Sequence, residues 1–230
     1  MLSEPGLLRL LTWLSPAFPV GGYTYSHGLE YAVEAGIVRT VDDLAEWLGT
    51  VIEHGAGRVD ATLLCAAWRA AHADSPADLA EAVEWAGALR GTSETALESV
   101  AQGRAFLDTV RRVWRDPWLE RWAADLARDG AELAYAVAVG VVAARSGVAL
   151  RPTAAAYLHA LAANLVSAAV RLVPLGQTDG QRTLAALEPV ILAAAAEAPD
   201  RPLAAVGSAT PVVDWASMLH ETQYTRLFRS

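Results

Sequence analysis

Lysine is absent from the 230 residues, so all eighteen basic side chains are arginine. Arginine favours planar, bidentate contacts, but so complete an absence reads as compositional bias rather than as a functional device. Cysteine occurs once, at Cys65, which excludes an internal disulfide framework and a multi-cysteine zinc site and fits a reducing compartment. The longest wholly apolar run, Leu133 to Ala144, is twelve residues, short of the roughly 20 that span a bilayer. Glu4 and Pro5 precede the first apolar run, with no basic leader or cleavage pattern, so a cytoplasmic protein is expected. Net charge is −8. Residues 104 to 128 hold six arginines against four acids, a balanced set and not the basic face that nucleic acid demands. No run of β-branched or aromatic residues alternates with polar ones, so strands lack support.

Helical spacing is what remains. Apolar residues make up 53% of the chain, with alanine foremost, and alanine is the best helix former and a poor strand former. Val41, Leu44, Ala45, Leu48, Val51 and Ile52 form one stripe on a helix that Thr40 and Asp43 cap. Ser75-Pro76, Asp116-Pro117 and Thr210-Pro211 each pair a capping side chain with proline at the first helical position. These cues predict helices over 6–14, 26–35, 41–54, 59–73, 76–89, 92–114, 118–127, 130–146, 152–173 and 177–197, and a short one over 211–220. The 152–173 helix is apolar nearly all round and belongs inside a bundle; His159 reads there as a hydrogen-bonded core residue, and His54 as a cation at a helix end. Pro189 should kink or divide the 177–197 helix. The expected architecture is all-α, a single domain over 1–230 of about ten helices, with an irregular N-terminal loop and a C-terminal tail.

Three stretches depart from this plain pattern. In SPAFPVGGYTYSHGLE, residues 15 to 30, the prolines end a helix, Gly21-Gly22 turns the chain, and Ser26 is a natural N-cap. Tyr23, Tyr25, His27 and Glu30 are left unexplained. Ser26 beside His27 is no nucleophile–base pair: position 24 is Thr24 where an elbow needs glycine, no strand precedes it, and neighbours on a helix point about 100° apart. The five histidines (27, 54, 72, 159 and 220) lack metal-site spacing; His27 and Glu30 supply two ligands at most. In RLVPLGQTDGQRTL, residues 171 to 184, Gln177, Asp179 and Gln181 mark either a helix corner that binds exposed backbone groups or a recognition surface. WASMLHETQYTRLFRS at the end is aromatic and amphipathic, rich in residue types that dominate binding hot spots. Such a tail docks on its own bundle or on a partner.

These three motifs, in this order and spacing, resemble the urease accessory protein UreF family, and the likeness covers nearly the whole chain. The resemblance implies an all-α, non-enzymatic scaffold with no catalytic residues and no bound cofactor. Its partners would be UreD (also called UreH), the GTPase UreG and apo-urease, with nickel handled by the assembly and the chain itself a homodimer. Neither nucleic acid nor membrane is implied. Position by position, the motifs carry partner contact to Tyr23, Tyr25, His27 and Glu30, exposed on the loop; to Arg171, Gln177, Asp179 and Gln181 at the corner; and to His220, Glu221, Tyr224 and Arg226 in the tail. Tyr23 and Arg226 are the strongest of these, and residues 221–230 would order with the partner. A reading of another class is a helical-bundle enzyme or small-ligand protein with a pocket around Tyr23–Glu30, in which His27 and Glu30 form an acid–base pair.

Overall fold

A computed structural model of the chain describes residues 2–229. Among these residues there is no strand. Eleven α-helices follow in order: α1 Glu4–Trp13, α2 Leu29–Glu34, α3 Val41–His54, α4 Ala56–His72, α5 Pro76–Ala88, α6 Ser93–Val113, α7 Pro117–Asp129, α8 Tyr135–Arg145, α9 Leu150–Leu172, α10 Gln177–Glu197 and α11 Pro211–His220. The expected all-α architecture is what the chain adopts.

Local chemistry sets most of the helix ends. Asp43 N–H donates to Thr40 Oγ1 at 3.1 Å while Thr40 N–H donates to Asp43 Oδ2 at 3.1 Å, a reciprocal cap on α3. Asp116 Oδ1 accepts Trp118 N–H at 2.7 Å ahead of α7, with Pro117 at its first position. Ser75 and Thr210 stand before their prolines as expected, yet neither side chain caps its helix. Thr210 Oγ1 bonds Ser208 Oγ at 2.8 Å instead. Gly130 ends α7 at φ 64° and residues 131–134 run irregularly, so α8 begins five residues later than the periodicity suggests. Pro189 does not divide α10, which is continuous from Gln177 to Glu197. Pro189 and Ala185, the donor's and acceptor's places in the missing bond, both face solvent, which leaves the freed carbonyl open to water.

The core is built around α4 and α8, which share the most extensive helix–helix interface. Nine of the eleven α8 residues are buried, and Gly140 lets its backbone lie against the Leu64 carbonyl with no room for a side chain. Helix α9 is long and apolar enough to cross a membrane by length and composition, with half of that window buried in the bundle. It packs against α10, α4, α2, α8 and α3, the interior place its composition calls for. His159 departs from expectation: it lies on the exposed side of α9. Trp13, Phe18, Phe106 and Trp114 pack in edge-on, tilted and stacked pairs, anchoring the start of the N-terminal loop on α6.

Candidate functional site

The loop from Ser15 to Gly28 lies between α6 and α11, reaching Glu98 of α6 through His27 and meeting Ser217 of α11 at Gly28. Gly21 turns the chain at φ 75°, and a single 3-10 turn, Gly22–Thr24, presents Tyr23 to solvent at 63% exposure. Two left-handed residues then follow in succession, His27 at φ 53° and Gly28 at φ 75°. A right-handed helix cannot pass through them, so α2 starts at Leu29 and not at Ser26, which is buried and accepts the Glu30 N–H at 3.4 Å. Gly28 is obligatory for a second reason. A Cβ there would stand 2.6 Å from Ser217 N, because α11 crosses directly over the loop backbone.

The tail returns across this loop and is held by groups of the loop, α2 and α6. Glu30 accepts the backbone N–H of Leu227 at 2.6 Å and of Phe228 at 2.9 Å. The Arg229 N–H donates to the Thr24 carbonyl at 2.7 Å. His220, fully buried at the end of α11, sits between Glu30 and Glu94, and Arg226 Nη1 donates to Glu94 Oε1 at 2.6 Å. Glu221 Oε1 accepts from both N–H and Oγ of Ser93, and Gln223 bonds Glu34. Tyr224 is wholly exposed and Leu227 largely so, leaving an aromatic and an aliphatic side chain on the outer face of the docked tail.

Arg171 joins the three unusual stretches. From the end of α9 its Nη2 donates to the Tyr23 carbonyl at 2.9 Å, and its guanidinium carbon lies 4.3 Å from the centre of the Phe228 ring. Loop, corner and tail therefore meet on one side chain. The remainder of the corner does what an ordinary helix junction needs: Asp179 Oδ2 accepts the Gly176 N–H at 3.1 Å and Oδ1 accepts from Arg182 at 2.8 Å, while Gln177 and Gln181 stay exposed.

Beneath the loop lies a cavity of about 310 Å³ with mostly apolar walls, bordered by Tyr23, His27, Gln102, Tyr135 and Asn164. Its floor carries buried charge. Asp60 accepts from Arg90 Nη2 at 2.8 Å and from the Tyr157 hydroxyl at 2.7 Å, and His27 Nε2 lies 2.9 Å from Glu98 Oε1, which also accepts from Gln102 at 2.8 Å. Burial pulls the His27 pKa down, but the charge and hydrogen bond of Glu98, with Asp60 behind it, outweigh burial and raise it above 6.5. The sign follows: the pair's contribution to stability is complete below about 6.5 and is lost as pH rises through the raised value.

Of the four loop residues expected on the surface, Tyr23 alone is exposed. Tyr25 and Glu30 are each 7% exposed, and His27 is mostly covered. The expectation fails because the loop is roofed by α11 and the tail, partners that lie some 190 positions away in sequence. His27 and Glu30 do not share a helix face either; one reaches Glu98 and the other His220. The polar partners Asp60, Arg90, Glu94 and Glu98 went unsuspected. Asp60 carried a readable signal, a lone carboxylate in the apolar VDATLLCAA run of α4. Among the described residues, no group of three or more His, Cys, Asp or Glu is arranged to hold a metal ion.

The same chain is recognised by comparison. A family model described as UreF matches residues 38–188. The urease accessory protein UreF of Rhodopseudomonas palustris strain TIE-1 is 50% identical over 97% of this chain and 92% of its own length. That of Granulibacter bethesdensis is 51% identical over 99% of this chain and 95% of its own. That of Bradyrhizobium diazoefficiens is 51% identical over 97% and 91%. With a folded body that brings the three characteristic stretches together and likeness of this extent, the chain belongs to the UreF family of urease accessory proteins.

Proposed function

We propose that this urease accessory protein is a cytoplasmic scaffold that joins UreD (UreH) and the GTPase UreG, as a homodimer, so that nickel reaches apo-urease as cargo of the assembly. As a member of a family of accessory proteins it serves the maturation of an enzyme and is not itself one. The observation that carries the reading is the meeting of loop, corner and tail at Arg171, which brings the chain's least ordinary stretches together. Tyr23, Tyr224 and Leu227 project from them as anchors, with the Arg226 guanidinium, Gln177 and Gln181 as polar contacts at their margin. Tyr25, Glu30, His27 and His220 contribute by holding those stretches in shape from below.

Deletion of residues 221–230 is expected to abolish capture of the other accessory proteins in co-purification and to leave urease with little nickel. Urease of full activity and metal content from the truncated strain would refute the reading. The single changes Tyr23→Ala and Tyr224→Ala should each weaken partner binding by roughly tenfold or more, the scale of a hot-spot aromatic. The fold should be unaffected, since neither ring is buried.

The cavity under the loop favours a second reading, a small-ligand pocket, because its volume reaches the lower end of the usual range for such sites. Native mass spectrometry of the purified chain decides it: a retained molecule of defined mass supports the pocket, and the bare protein mass supports the scaffold alone.

A further inference from the structure

Each ring nitrogen of His220 lies against a different carboxylate, Nδ1 2.8 Å from Glu94 Oε2 and Nε2 3.1 Å from Glu30 Oε2. A neutral imidazole has one N–H, so it satisfies one carboxylate and turns a lone pair toward the other, which is itself acceptor-only. The arrangement closes only with one further proton on the His220–Glu30–Glu94 group. Charge gives the same answer. Glu30 and Glu94 bring two negative charges and Arg226 one positive. The added proton balances the set, and without it an uncompensated negative charge stays buried.

The two carboxylates that need this proton are also the ones that hold the tail, Glu30 through the Leu227 and Phe228 amides and Glu94 through Arg226. Other charged groups stand around the clamp, among them Arg171, whose guanidinium lies over Phe228. Glu34 of α2 holds Gln223, Glu221 holds Ser93, and Asp214, two turns back on α11, borders the cavity. We propose that His220, Glu30 and Glu94 form a proton-operated latch: with the proton in place the tail lies closed over Glu30, and its loss as pH rises opens residues 224–229. The consequence for partner binding rests on the scaffold reading above, but the latch itself is a property of the isolated chain and is tested on it.

The measurement is native-state amide exchange at Leu227 and Phe228 from pH 6 to 10, each rate divided by the intrinsic base-catalysed rate. In the wild-type chain the protection should fall by up to tenfold per pH unit once the proton leaves, the dependence of a single linked proton. Glu94→Gln should hold its protection flat. The side-chain amide introduced there would donate to Nδ1 of a neutral His220 and accept from Arg226, while Nε2–H donates to Glu30, so no extra proton is needed. The His27–Glu98 pair is intact in that variant, so a slope arising there would persist. A flat wild-type profile, a wild-type slope in Glu94→Gln, or an unprotected tail in Glu94→Gln at every pH would each overturn the latch. Failure of partner capture with a normal latch profile would instead count against the scaffold reading.

Discussion

Asp60→Ala is expected to destabilise the chain by about 3–5 kcal/mol, the scale for removing one partner of a buried ion pair. Arg90 would then stand buried without its hydrogen-bonded counter-charge, and the Tyr157 hydroxyl would lose its acceptor. Both partners titrate above their ordinary values. Burial works against the Arg90 charge, but the nearby Asp60 outweighs it and raises the guanidinium pKa; burial and then Asp60 push the Tyr157 phenol well above 10. For a domain of this size the loss is on the order of 10 °C in thermal midpoint. The combined change Asp60→Leu, Arg90→Met, Tyr157→Phe should regain most of it, since replacing a whole buried polar set by apolar side chains is often neutral. A cost below about 1 kcal/mol for Asp60→Ala would mean that water in the adjoining cavity already solvates the pair.

Gly28→Ala should have the larger effect on function. Two penalties coincide there, a left-handed φ of 75° and a Cβ that meets Ser217 N at 2.6 Å and its Cα at 2.9 Å. Gly36→Ala separates them, because Gly36 has φ 71° with nothing within 4 Å of its added Cβ. Left-handed strain alone costs roughly 1–2 kcal/mol; the clash should add about 1–3 kcal/mol at Gly28. Helix content by circular dichroism should be unchanged in both variants. In Gly28→Ala alone, α11 must lift from the loop, and amide protection at Leu227 and Phe228 should drop with it. Equal stability of the two alanine variants would show that α11 yields without cost, and the loop would not govern the tail.

What the sequence made legible was the chemistry that acts over one helical turn. The Thr40–Asp43 cap, Pro117 after Asp116, and the all-round apolarity of α9 were readable because cause and effect lie within a few residues of each other. The start of α2 was not, since nothing in YSHGLE reveals that His27 takes a left-handed backbone, with its ring on Glu98 of α6 and Gly28 packed against α11. That Pro189 would not divide its helix was hidden for a related reason. Its missing donor is more harmful where the freed carbonyl is buried, and burial is a tertiary fact. The candidate site divides along the same line. Its residue types were visible at both termini, whereas their pairing across α6 required the fold, as Glu94 and Glu98 show: both look like surface carboxylates of an ordinary helix until His220 and His27 arrive.

Cys65 sits with no exposure on α4, and burial pushes its thiol up to about 12. Thiolate, the reactive form, is therefore scarce at neutral pH and sealed from reagents. A cysteine introduced at the fully exposed position of Tyr224 would then be the one sulfur that maleimide dyes reach, without removing the native residue. The chain is thus already suited to carrying a single fluorophore on its moving end, and tail opening becomes something that can be watched in real time.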